Sequence, residues 1–99
     1  MSSINLSTAL SGISAANERL RASASNVARL SVDGAGRARV DLSSTAEGGV
    51  SSSTRLTQQP IDPATEMVEQ RSATYSFVAN LRVLQTQLRA EGTLLDIHA

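Results

Sequence analysis

Near the start of the chain, apolar side chains recur in steps that a helix brings onto one face. Leu6, Leu10, Ile13, Asn17, Leu20, Ala24 and Val27 follow one another at spacings of 4, 3, 4, 3, 4 and 3, the a/d pattern of a heptad seam. The other end repeats it: Met67, Thr74, Phe77, Leu81, Leu84, Leu88 and Leu95 hold the same rhythm, with Gln70 and Glu91 at the remaining seam positions. An amphipathic helix cannot bury its stripe alone. Each stripe must therefore meet the other, or meet helices of neighbouring subunits. The expected fold is mainly α, with two long N- and C-terminal helices packed as an antiparallel helical hairpin or coiled coil. The segments are 1–30, an N-terminal helix; 31–60, a polar middle; and 61–99, a C-terminal helix, together one small domain.

Local signals support both helices. Ser7 is a plausible N-cap for the first, with Ser3 an alternative one turn earlier. A second face of that helix carries Ala9, Gly12, Ala16 and Ser23, small enough to let another helix approach. Gly12 reads either as that close approach or as a weak point, since glycine costs a helix about 1 kcal/mol relative to alanine. Asn17 reads either as a register device in the seam or as a solvent-facing residue at its edge. In "PIDPATEM", Asp62 can cap a helix and Pro63 suits its first position. Glu66 and Glu69 follow as solvated carboxylates complementing the helix dipole. The second rod, Pro63 to Ile97, would be roughly 50 Å long and the first roughly 35 Å.

The middle is rich in Ser, Gly and Thr. Val40 and Leu42 alternate with Arg39 and Asp41, while Val50, Ser52, Thr54 and Leu56 share one parity. With "AEGG" as the turn, this pattern reads as a short β-hairpin; its low apolar content reads equally as a disordered Ser/Gly-rich linker.

Composition narrows the function. Nine basic and nine acidic residues balance, and every basic residue is arginine. They form no run that would track phosphates, so nucleic acid is not an expected partner. The absence of cysteine removes disulfides and thiolate chemistry. No apolar run approaches the ~20 residues of a membrane span, and the N-terminal stretch lacks the basic and apolar regions of a cleaved secretory signal. Tyr75 and Phe77 are the only aromatic residues, so the core is expected to be aliphatic and thin. His98 alone makes a poor metal site. The serines have no base at a motif spacing. "DGAGR", Asp33 to Arg37, lacks the Lys-Ser/Thr pair of a phosphate loop and reads as a turn. Glu18 and Arg21 read as an ordinary helix-surface pair. The chain is not expected to be an enzyme, nor to bind a cofactor, metal or small-molecule substrate.

Both ends carry a more specific signal. "ALSGISAANERLRASASNVARLSVDGAG" resembles the N-terminal motif of the bacterial flagellar rod and hook (axial) protein family. Ala9 to Ile13 match its Ala-Leu-Ser-Gly-Leu/Ile opening, Asn26, Val27 and Ala28 match its centre, and Gly34 falls at its glycine. Ser25 and Arg29 stand where the motif has asparagines, Ser31, Val32 and Asp33 where it has Asn-Thr-Pro, and Ala35 where it has an aromatic residue. At the other end, "EMVEQRSATYSFVANLRVLQT" is similar to the family's C-terminal pattern. Glu66, Met67, Val68, Phe77, Ala79, Asn80, Val83, Gln85 and Thr86 match, as do Thr93, Leu94 and Leu95; Arg82 stands for a lysine and Leu84 for an isoleucine. Thr74 and Tyr75 replace a Gln-Arg pair, and Leu88, Arg89 and Ala90 replace Asp-Glu-Met.

The resemblance implies a short, proximal-rod-like structural subunit of the flagellar basal body. Its partners would be itself, other axial proteins and the flagellar export apparatus. It would leave the cell by type III export without a cleaved signal, to reach the periplasm-spanning rod. The residues expected to carry helix packing and assembly are Leu6, Leu10, Ile13, Asn17, Leu20 and Val27 on the first helix, with Met67, Phe77, Leu81, Leu84, Leu88 and Leu95 on the second. The alternative is a soluble helical module that binds an export or rod component without polymerising.

Overall fold

The middle of the chain is an antiparallel β-hairpin, and this overturns the mainly α expectation. The computed structural model describes residues 2–98, and side chains for residues 6–90. The order is α1 (Ser2–Ala28), β1 (Gly36–Ser44), β2 (Val50–Pro60) and α2 (Pro63–His98). The fold is α+β, and no simple helical hairpin or coiled coil describes it. The sheet pairs Val40 with Thr54, Leu42 with Ser52 and Ser44 with Val50, so the alternation in the sequence sets the register. Its loop, Thr45 to Gly49, is closed by the Thr45 amide donating to the Gly49 carbonyl at 2.9 Å and the Gly49 amide donating to Thr45 Oγ1 at 3.0 Å. Gly34 and Gly48 have φ of 75° and 89°, a region that glycine enters without steric cost. They mark the α1–β1 turn, where Asp33 to Ala35 lie, and the hairpin turn. On the open face of the sheet, Asp41 is paired with Arg55 at 2.6 Å and Arg39 at 3.3 Å. The Arg55 hydrogen bond holds its carboxyl below the usual range, against a smaller opposing effect of burial.

Both helices begin where the chain offers an early start. α2 opens at Pro63 with Asp62 as its cap: Asp62 Oδ1 accepts from the Ala64 amide at 3.3 Å and Oδ2 from Thr65 Oγ1 at 3.0 Å. α1 is already helical at Ser2, so Ser7 is an interior residue rather than its cap. The molecule is elongated, 62 × 24 × 15 Å, close to the ~54 Å that a helix the length of α2 dictates.

The core is built from the smallest side chains. Among the described residues, every buried apolar residue is an alanine: Ala9, Ala15, Ala16, Ala22, Ala38 and Ala73. The face of α1 against α2 is the small-residue face, with Ala9, Gly12, Ala16 and Ser23. At Gly12 a Cβ would run into the side-chain amide of Asn80, which would have to shift. None of the described stripe side chains is fully buried. Leu10, Val27, Met67 and Leu88 are exposed, as is Asn17, while Leu6, Ile13, Leu20, Phe77, Leu81 and Leu84 are half-buried; the Leu95 side chain lies outside the described residues. The physical reason is distance. Alanine and glycine let two backbones approach closely, and the short Ser23 side chain reaches the Glu66 backbone carbonyl across the contact. A leucine seam would hold the axes at the wider ~8–10 Å of ordinary helix packing.

Candidate functional site

Two features organise the molecule: a buried polar junction that joins three elements, and the apolar faces left outside it.

The junction forms where the end of α1, the start of β1 and the first turn of α2 meet. Asn26 and Glu66 are fully buried and Ser23 nearly so. Asn26 acts as a short strand substitute. Its Oδ1 accepts the Ala38 amide at 2.8 Å, and its Nδ2 donates to the Ala38 carbonyl at 3.0 Å. Both backbone groups of a buried residue on the outer edge of β1 are thereby satisfied. The same Nδ2 donates to Glu66 Oε1 at 3.0 Å, and Arg37 Nε reaches Glu66 Oε2 at 2.7 Å. Ser23 Oγ donates to the Glu66 carbonyl at 3.3 Å. Arg29 closes the ring, donating to Asn26 Oδ1 at 2.8 Å and to the Gly36 carbonyl at 2.9 Å. No buried side-chain nitrogen or oxygen is left without a partner among the described residues.

Burial works against ionisation of Glu66, but hydrogen bonds from Asn26 and Arg37 outweigh it and hold the carboxyl below its ordinary value. A break in sheet register falls between Gly36 and Ala38, at Arg37, where a strand must direct one side chain to a special target. Thr57 Oγ1 donates to the Arg37 carbonyl at 2.8 Å, and a Cβ on Gly36 would strike the Thr57 carbonyl. β2 therefore crowds the start of β1 and fixes where Arg37 begins.

Sequence reasoning read Glu66 as a solvated, dipole-complementing carboxylate; it is instead the most buried charge described. A usable signal was present: Asn26 and Glu66 both fall at matching positions of the family motifs, yet neither lies on a leucine stripe. Glu69 is also turned inward, paired with Arg19 at 2.7 Å, while Arg19 donates to Ser72 Oγ at 2.8 Å. Glu18 accepts from Thr54 Oγ1 on the hairpin at 2.9 Å, not from Arg21.

These contacts divide α1 into sectors. Ser11, Glu18 and Asn26 meet the hairpin; Gly12, Arg19 and Ser23 meet α2. At 100° per residue, Leu6, Leu10, Ile13, Leu20 and Val27 fall on the remaining flank beside α2. The same construction on α2 puts Met67, Leu81 and Leu88 on the side away from Glu69 and Ser76. The contact pairs 12 with 80, 19 with 69 and 23 with 66 show that the helices run in opposite directions. The named residues of both stripes consequently share one side of the helix pair and the hairpin occupies the other, while Phe77 and Leu84 fall beside Ala73 and Glu66 on the side of α2 toward α1.

No protein-family model matches the chain, and no curated protein sequence matches it. Among the described residues, no helix is long and apolar enough to cross a membrane, and no group of three or more acidic or histidine side chains gathers to hold a metal ion.

Proposed function

We propose that this chain is a structural axial subunit of the bacterial flagellar basal-body rod, assembling through its terminal helices. The observation that carries the reading is the two-helix apolar side. Leu10, Val27, Met67 and Leu88 are exposed on it, although the chain has few large apolar residues to spare. An apolar strip along an elongated molecule is a surface for neighbours, and head-to-tail contacts that do not close build helical assemblies. The terminal motifs that resemble the rod and hook family lie on these same two helices.

A second reading is a soluble interaction module that binds an export or rod component without joining the axis. The junction favours it: Asn26, Arg37 and Glu66 tie all three parts into a unit whose buried polar groups are satisfied without a partner.

Isolating hook–basal bodies from the native host with a tagged copy of this protein separates the two. Several copies per particle that survive a salt wash support the axial subunit. A tag found only in the soluble cytoplasmic fraction sinks it in favour of the module.

A further inference from the structure

Among the described side chains, the charges of α2 are sorted by side. Glu66 and Glu69 point inward and are consumed by Arg37 and Arg19. From Gln70 to Ala90 the sequence has no acidic residue and three arginines, Arg71, Arg82 and Arg89, all exposed. They sit at heptad positions e, b and b when Met67 is taken as a, so they line a single edge of the apolar stripe. Met67 and Tyr75, 60% and 79% exposed, lie on the same flank with Val78. Met67, Gln70, Arg71, Thr74, Tyr75 and Val78 bound an open depression of about 550 Å³. An apolar strip bordered by one sign of charge sets the chemistry of what covers it.

A second copy of this chain is the poorer match: between Gln70 and Ala90, α2 offers arginines and no carboxylate, and the only acid on α1, Glu18, already accepts from Thr54. We propose that the outward face of α2, from Met67 to Arg89, docks an amphipathic helix of a different protein, one whose apolar stripe is flanked by Asp and Glu. Its apolar side chains would fill the depression between Met67 and Val78, and its carboxylates would meet Arg71 and Arg82. The inference depends on this face alone and holds whether or not the chain enters the flagellar axis.

The test uses the full chain and synthetic four-heptad helices with leucine at a and d. One carries glutamate at the flanking positions and its twin carries lysine. Fluorescence anisotropy is read at low and high salt, and co-sedimentation with anionic phosphatidylglycerol vesicles runs alongside. The acidic helix should bind, bind more weakly in high salt, and lose about tenfold in affinity to the Arg71→Glu/Arg82→Glu protein. Arg71→Gln/Arg82→Gln serves if the reversed pair fails to fold by circular dichroism, and Val78→Asp should also weaken binding. Equal binding of both helices, unchanged affinity in the charge variants, capture by the vesicles in place of the helix, or a stable homodimer through this face in sedimentation equilibrium would each overturn the proposal. Absence of the protein from basal bodies would leave it standing, so failure of the axial reading remains a distinct result.

Discussion

Asn26 is the residue on which most depends. It satisfies both backbone groups of Ala38 and donates to Glu66. Asn26→Ala strands buried partners on two elements and should cost at least ~2 kcal/mol in urea unfolding, given ~1–3 kcal/mol per orphaned buried group. Asn26→Asp keeps the size but cannot donate, and places a carboxylate against that of Glu66. It should be at least as damaging as alanine, which a space-filling role for Asn26 does not predict. Glu66 gives a second test. Its carboxyl is held below its ordinary value of 4.5, so the unfolded chain binds the proton more readily. The stability contributed by the charged form is complete above that value and disappears as pH falls through the lower, folded one. Glu66→Gln should therefore be less stable than wild type at neutral pH, and the gap should narrow in acid. A gap of constant size from pH 7 downward through that window would show that ionisation of Glu66 is not what holds the junction.

At the level of elements, the chain announces its helices and hides which face they use. The start of α2 was legible because capping is local: Asp62 and Pro63 act within one turn. The hairpin was legible only as one of two readings, because Val40 and Leu42 supply little burial and what decides for a sheet is remote, Asn26 against Ala38. Heptad spacing locates the helices, yet the packed face is the one with Ala9, Gly12, Ala16 and Ser23. Spacing reports where leucines are; it does not report that Arg19, Ser23 and Asn26 bond across to α2 from another face. Arg29 is similar: a departure from the family motif in sequence, it bridges Asn26 and Gly36 in the fold. Gly36→Ala tests the crowding of β1 by β2. A methyl group there meets the Thr57 carbonyl, so the strand end must shift. Protection of the Ala38 amide in hydrogen exchange should fall well before that of mid-hairpin amides such as Asp41.

For the whole molecule, the division between an inner small-residue face and an outer leucine side separates folding from association. Leu10→Asp alters a residue that is 53% exposed, so circular dichroism and the unfolding midpoint should stay close to wild type, within about 0.5 kcal/mol for a surface site. Recovery in basal bodies, or with any helical partner that covers the stripes, should be lost. Leu81→Asp, at a half-buried position, should impair both. If Leu10→Asp unfolds the isolated protein, the stripe belongs to the core and the separation fails.

A core of alanines has a thermal consequence. The heat-capacity change of unfolding follows the apolar surface that folding removes from water, and among the described residues only alanines are fully buried while Leu10, Leu42, Leu56 and Leu88 stay exposed. Calorimetry on the isolated protein should give a value below the usual ~12–15 cal/mol/K per residue, with a correspondingly low urea m-value. The missing heat capacity should appear when the leucine side is covered, as a negative change on binding. The monomer would then keep a flat stability curve over a wide temperature range, and cooling would weaken the assembled state before it weakened the fold.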